Sequence, residues 1–357
     1  MSYTNGLDKP SDYFNTVLYT GDGSNGQAIT GVGFQPDWLW IKSRSGTAFH
    51  ELHDSVRGAG KRLFSNDTAG ESNVGTVSSF DSDGFTVSRN NAYDGTNQSG
   101  ISFVGWNWLA SNTTASNTDG SITSTVSANT TSGFSIVSYT GTGSNATIGH
   151  GLGSAPKVVI VKTRDAARDW TVYHGGISNM ASGYIILNAT DAFSTAFSTI
   201  WNNTDPTSSV FSVGTANTSN NLNSNYIAYC FAEKKGFSKF GSYTGNGNYS
   251  DGTFVYTGFK PAWIMVKRTD TAGAYWTVMD SVRSPYNEIS RQLYPSVSDA
   301  EYDNPPNNAD FLSNGFKLYH GSTPSPDNTN ASGGTYIYMA FAENPFVTSS
   351  GIPTTAR

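Results

Sequence analysis

The chain has 357 residues, of which 13% are charged and 13% aromatic, with a formal net charge of −6. An ordinary soluble domain carries roughly twice that share of charge, and here Ser, Thr, Asn and Gly fill the space. This composition excludes a disordered acidic chain, which would lack aromatics, and a heptad coiled coil. The scattered basic residues leave no nucleic-acid footprint, and no apolar run reaches the ~18 residues of a membrane span.

In chain order, the first feature is a segment without a basic or apolar leader, MSYTNGLDKP, so no secretory signal is expected. Tyr19-Thr20-Gly21 follows, then Pro36 and the apolar run to Lys42. The same order returns as Tyr139-Thr140-Gly141, Pro156 and Lys162, and again as Tyr243-Thr244-Gly245, Pro261 and Lys267. The proline lies 17, 17 and 18 residues after the tyrosine. Each segment closes on a second apolar run, Phe103–Ala110, Tyr226–Glu233 and Tyr336–Glu343, that begins 84, 87 and 93 residues after the same tyrosine. Smaller echoes lie between. Asp54-Ser-Val-Arg57 returns as Asp280-Ser-Val-Arg283, and Gly84-Phe85 as Gly315-Phe316, with Val210-Phe211 in the second segment.

Each unit of about 100 residues is the size of a β-sandwich. The apolar runs are short and rich in Val, Ile and aromatics, which favours strands over helices. In the closing runs, alternation puts Val104, Trp106 and Trp108, then Ile227, Tyr229 and Phe231, then Ile337, Met339 and Phe341 on one bulky face. The opposite face is mostly smaller, as expected of a central strand packed on both sides. The fold class read from the sequence is all-β: three tandem β-sandwich, jelly-roll-like repeats. Their boundaries are 1–118, 119–235 and 236–357. The first includes a short N-terminal segment and a Ser/Thr/Asn linker from Ala110 to Gly120, and the third a short C-terminal tail. Helical signals are weak and confined to short turns after Asp54 and Asp280.

The chemistry-bearing residues read mainly as structural. His50-Glu51-Leu52-His53-Asp54 lacks the HExxH spacing of a zinc site. Asp81-Ser82-Asp83-Gly84 starts like an EF-hand loop, but Ala92 stands where the twelfth-position glutamate belongs. A hairpin turn is the favoured reading over calcium. Glu51, Asp54, Glu71 and Asp83 are the candidates for paired hydrolytic carboxylates, yet none recurs as a pair. Cys230 is the only cysteine, so no intramolecular disulfide can form, and its apolar surroundings imply an inert buried thiol. Lys42, Lys162 and Lys267 end buried strands, where lysines commonly snorkel or pair with an acid, and a repeated ligand site is the alternative. No catalytic residue, metal or cofactor is expected. The aromatics that do not recur, Tyr93, Trp201 and Tyr319, are the candidates for an exposed ligand-binding surface.

Several motifs together carry a resemblance: Tyr3–Thr16, Gly31–Lys42, Ile148–Pro156, Trp170–His174 and Tyr336–Phe346. The combination resembles repeat-containing tail-fibre and appendage structural proteins of tailed bacteriophages, especially marine ones. The resemblance implies a non-enzymatic virion protein that assembles in the host bacterial cytoplasm and contributes to host-surface attachment. It further implies other virion proteins and a host surface glycan or receptor as partners, and a homo-oligomer, a trimer in the first instance. Neither nucleic acid nor membrane insertion is expected. The alternatives are a capsid decoration protein, as a head fibre or knob, and a carbohydrate-binding module or polysaccharide depolymerase.

Overall fold

A computed structural model describes residues 7–89, 95–303, 308–319 and 327–354. The fold is almost entirely antiparallel β, and its strands fall into three successive units of two sheets each.

The first unit contains β1 (Phe14–Thr20), β2 (Asn25–Thr30), β3 (Trp38–Ser43), β4 (Glu51–Asp54), β5 (Leu63–Phe64), β6 (Val77–Asp81), β7 (Gly84–Ser88) and β8 (Ser102–Trp108). Its major sheet has the order β1-β8-β3-β4-β5 and its minor sheet β2-β7-β6. The second unit contains β9 (Ala115–Asn117), β10 (Ser124–Asn129), β11 (Phe134–Thr140), β12 (Ala146–Gly149), β13 (Val158–Thr163), β14 (Thr171–His174), β15 (Ile185–Ile186), β16 (Val210–Val213) and β17 (Asn225–Phe231). Its major sheet is β15-β14-β13-β17-β11-β10-β9, beside a β12-β16 pair. The third unit contains β18 (Ser238–Thr244), β19 (Thr253–Tyr256), β20 (Phe259–Arg268), β21 (Thr277–Asp280), β22 (Ala309–Leu312), β23 (Gly315–Leu318) and β24 (Thr335–Pro345). Its sheets are β18-β24-β20-β21 and β19-β23-β22.

In each major sheet the closing run (β8, β17, β24) lies between the Tyr-Thr-Gly strand (β1, β11, β18) and the strand after the repeated proline (β3, β13, β20). Both faces of that central strand are therefore covered, and the alternation has a physical destination. In the first and third units the compact face meets the minor sheet in a local core: Val17, Leu39 and Ile41 against Ile29, Phe85 and Val87, and Ile264, Val266 and Tyr338 against Val255 and Phe316. The bulky faces of all three major sheets meet one another in a single cluster that also holds the sandwich core of the second unit. Trp38 stacks on Tyr229 of the second unit at 4.4 Å between centroids, Phe14 on Phe341 of the third at 5.3 Å, and Trp108 meets Trp263 edge-on at 5.7 Å.

One sequence expectation is corrected, that of an unstructured linker, and two others gain detail. The bulky faces of the three major sheets are buried where the units meet, while the first and third units also keep local cores and Trp201 is buried inside the second. The Ala110–Gly120 linker is structured in part: Ala115–Asn117 pairs with β10 and so joins the sheet of the following unit, across the expected boundary at 118. The expected turns after Asp54 and Asp280 occur, but the one α-helical turn among the described residues is elsewhere, at Asn217–Asn220.

The Gly84 position shows why the second unit departs from the repeat. Gly84 has φ +147° and a Cβ there would lie 1.9 Å from the Ile29 carbonyl oxygen, so only glycine is accommodated. Gly315 faces the Val255 oxygen in the same way, at 2.1 Å. In the second unit Val210 stands at this place and the glycine has moved to its cross-strand partner, Gly149.

Trp38→Ala is expected to destabilise the whole molecule by about 3–5 kcal/mol, the usual cost of truncating a buried aromatic. Denaturant midpoints read by circular dichroism would show it, and a loss under about 1 kcal/mol would contradict the shared core.

Candidate functional site: a scaffold seam and an exposed aromatic face

The three units are tied in a ring by side chains at matched positions. Between the first and second, the Tyr229 hydroxyl donates to Asp54 Oδ2 (2.8 Å), Trp170 Nε1 to the Phe64 carbonyl (2.7 Å), and Arg164 pairs with Glu71 through two nitrogens (2.8 and 2.9 Å). Between the second and third, Trp276 Nε1 donates to the Ile186 carbonyl (2.8 Å). His174 there occupies the Asp54 position. Burial lowers its imidazole to about 4. Gly176 N–H donates to Nδ1, so Nε2 carries the proton and donates to the Tyr338 carbonyl at 3.0 Å. Between the third and first, Trp106 Nε1 donates to Asp280 Oδ2 (3.0 Å) and Arg44 pairs with Glu301 through two nitrogens (2.9 and 2.8 Å).

These ties absorb most of the candidate chemistry. Asp54 and Asp280 are buried, each accepting from the Arg three residues on, Arg57 or Arg283, at 2.5 Å. Glu51 is buried on Arg62 (3.1 Å), Thr76 (2.7 Å) and His53 (3.2 Å), and these partners hold its carboxyl below the ordinary range against the cost of burial. His50 accepts from Trp40 Nε1 at 2.9 Å. Asp83 accepts from the Gly31 and Gly33 amides, and Asp81 from Ser79 and Thr86, within the β6–β7 hairpin. Among the described residues, no three His, Cys, Asp or Glu side chains are grouped to hold a metal ion. Cys230 is buried, and burial raises its thiol well above the ordinary value.

The three lysines neither snorkel nor pair directly with an acid. Each ammonium is fully buried and donates to carbonyls: Lys42 to Ser43 (2.7 Å), Lys162 to Thr68 and Arg168 (2.8 Å each), and Lys267 to Ala274 (2.7 Å) and Thr190 (3.1 Å). Thr68 and Thr190 belong to the preceding unit, so these lysines also close the seam.

The repeat contains a further set of residues that composition and spacing had not singled out. Asn97, Asn220 and Asn330 are buried, and each Oδ1 accepts from the backbone amide that follows the Tyr-Thr-Gly glycine: Asp22, Thr142 and Asn246, at 2.8–3.0 Å. Each lies one residue after the carbonyl that accepts the hydroxyl of the repeated tyrosine, in Thr96, Ser219 and Thr329. The signal in the sequence was the constant distance from each Asn to its closing run, six residues ahead of Phe103, Tyr226 and Tyr336.

The candidate aromatics separate clearly. Tyr93 lies outside the described residues. Trp201 is not exposed: it is 2% accessible and packs edge-on against Tyr173 at 5.8 Å. Sequence placed it among surface candidates because it does not recur, whereas it fills the core position that Val77 takes in the first unit. Tyr319 is half-buried and lines an open cavity of about 300 Å³ with Tyr249, Ser250, Glu288 and Asn308. Its hydroxyl donates to Asp310 Oδ2 at 2.6 Å, and burial together with Asp310 raises its pKa. Lys317 stands 5.9 Å from its ring and pairs with Asp251 at 2.5 Å.

This cavity continues onto the solvent face of the third minor sheet. Lys317 lies between Phe254 and Asp310 in the register. Phe254 and Tyr256 point outward from β19 at 45% and 55% exposure, and Tyr249 in the preceding loop is 67% exposed. The matched positions in the first unit are Ala28 and Thr30, and in the second Thr147 and Gly149. The aromatic face is thus confined to one unit of a repeated scaffold. Aromatic rings beside a carboxylate and an amide form the kind of surface that stacks on and hydrogen-bonds polar rings.

The fold is all-β, in three successive units of paired sheets, and the third unit carries this exposed aromatic face. The chain belongs to the family described as a domain of unknown function (DUF7483), which matches residues 9–345. No curated protein matches the chain. No helix among the described residues is long and apolar enough to cross a membrane.

The seam lysines set a pH dependence. Burial lowers Lys42 to about 7 and Lys162 and Lys267 to about 8 from an ordinary 10.5. Between those values and 10.5 the unfolded chain binds the proton more tightly, so stability rises with pH. The melting temperature is expected to rise from pH 7 to pH 9, and less so in Lys162→Met. A fall over that interval in the unaltered protein would contradict this burial.

Proposed function

We propose that the protein is a non-enzymatic structural protein of a bacteriophage virion, a tail appendage that contributes to attachment at the host surface. The carrying observation is the contrast between a scaffold whose buried acids, lysines and histidines are engaged by its own side chains and backbone and an exposed aromatic face on the third unit. A catalytic site needs titratable groups offered to a substrate. The strongest ionic clusters here, around Asp54, Asp280 and Glu51, are closed inside the scaffold. The motif resemblance to tail-fibre and appendage proteins supports the same reading, as does a Ser/Thr/Asn-rich surface that needs no disulfide. The ligand of the third-unit face is a host surface glycan, stacked on Tyr249 and Tyr319 and hydrogen-bonded by Glu288 and Asn308.

A capsid decoration role uses the same scaffold. Copy number per particle separates the two, with tens to hundreds of copies on a head and small multiples of three or six on a tail. Immunolabelling of virions tests the location, and particles without label would end both readings.

Tyr249→Ala is expected to leave stability within about 0.5 kcal/mol, because the side chain is exposed. It is expected to weaken adsorption to host surface polysaccharide by about 2 kcal/mol, roughly 30-fold. Unchanged binding in a surface-plasmon-resonance titration would remove this face from the attachment site.

A further inference from the structure

The internal repeat serves as its own control for a second cavity, in the second unit. In the first unit, Glu51 at the start of β4 fills its surroundings. Arg62 and Thr76 satisfy its carboxylate, and Gly95 leaves room for it, since a Cβ there would lie 1.9 Å from Glu51 Oε1. In the second unit the matched residues are Thr171, Tyr184, Ile200 and Thr218. The match is set by geometry. Arg62 and Tyr184 form equivalent bridges, to Ser72 and Ser194. The carbonyls of Thr76 and Ile200 accept from Ser88 and Gly214. Gly95 and Thr218 each precede the residue whose carbonyl takes the repeated tyrosine hydroxyl.

The exchange removes a carboxylate and its cation and leaves a cavity of about 380 Å³, within the range of small-ligand sites. Thr171 is 0% exposed and its hydroxyl has no hydrogen-bond partner; the Thr218 hydroxyl is also buried without one. Both residues line the cavity, beside Asp169. A buried hydroxyl left unpaired costs free energy that a ligand can recover. Phe197, 60% exposed, and Tyr184 form an aromatic wall, with ring centroids 5.9 Å apart. Burial gives no reason for so large an apolar ring to face water.

These features select a ligand class. Among the described residues no lysine, arginine or histidine lines the cavity, and Asp169 at its edge disfavours an anion. A purely apolar ligand would leave Thr171 and Thr218 unpaired. A neutral ring carrying several hydroxyls satisfies the threonines and Asp169 at its edge and covers Phe197 with its apolar face. We propose that this cavity binds one neutral sugar residue, held by the Thr171 and Thr218 hydroxyls and stacked on Phe197. The site is separate from the third-unit face and does not depend on it.

The test uses the full chain and a panel of D-glucose, D-galactose, D-mannose, L-fucose and N-acetyl-D-glucosamine, with binding read by saturation-transfer NMR and calorimetric titration. At least one sugar is expected to bind. Phe197→Ala and Thr171→Val are each expected to weaken it about tenfold or more. Thr171→Val is also expected to raise the melting temperature, because it removes an unpaired buried hydroxyl at constant shape. A residue with a purely structural role would not move the two readouts in opposite directions. Tyr249→Ala is expected to leave this binding unchanged, which separates the cavity from the third-unit face. Absence of binding by every sugar, or binding that survives either cavity variant within twofold, would overturn the proposal.

Discussion

The bulky faces of the three major sheets set the rest of the structure. A strand that carries Trp106 and Trp108, or Tyr229 and Phe231, on one side cannot leave that side in water, because large aromatics dominate the burial free energy. The minor sheets cover only the opposite faces. The bulky faces therefore have one available partner, which is one another, and three units in one chain close on a common core. That closure makes one body of three units from a single polypeptide. The low charge content follows from it, since so much of each unit is interior or seam.

Burying the seams demands that their polar groups be paired, and the way this is met explains the odd chemistry of the chain. Asp54 and Asp280 each receive an arginine from their own unit and an aromatic donor from the next. At the third junction His174 replaces the acid and takes a backbone carbonyl instead, because Met339 stands where Tyr229 and Trp106 offer donors. The lysines donate to carbonyls across or within the seam. Such paired groups contribute little net stability compared with apolar packing, but they fix which unit faces which. The aromatic face of the third unit and the open cavity of the second are places where the repeat is broken outward, and they are the surfaces to which we assign the proposed binding.

Much of this was legible in the sequence, for identifiable reasons. Period-two alternation identified both faces of β8, β17 and β24, and the bulky residues all point where alternation put them. The proline-to-lysine runs are strands, and Asp81–Gly84 is a hairpin turn. What was not legible was the partner of each face. Alternation says that a face is buried and not what buries it, so three tandem cores and one shared core write the same pattern. Trp201 shows the same limit in one residue. Failure to recur looked like surface specialisation, but a core position can also change its occupant. Tyr319 was within reach because the repeat offers no aromatic at the matched positions. The Thr171 and Thr218 cavity was not, because it is defined by the absence of a glutamate present in the first unit.

The shared core is tested most directly by calorimetric unfolding of the intact chain. One cooperative transition is predicted, with a van't Hoff enthalpy close to the calorimetric enthalpy. Two or three resolved transitions, each with its own van't Hoff enthalpy and a calorimetric sum well above any of them, would mean that the sandwiches fold on separate cores and would contradict it.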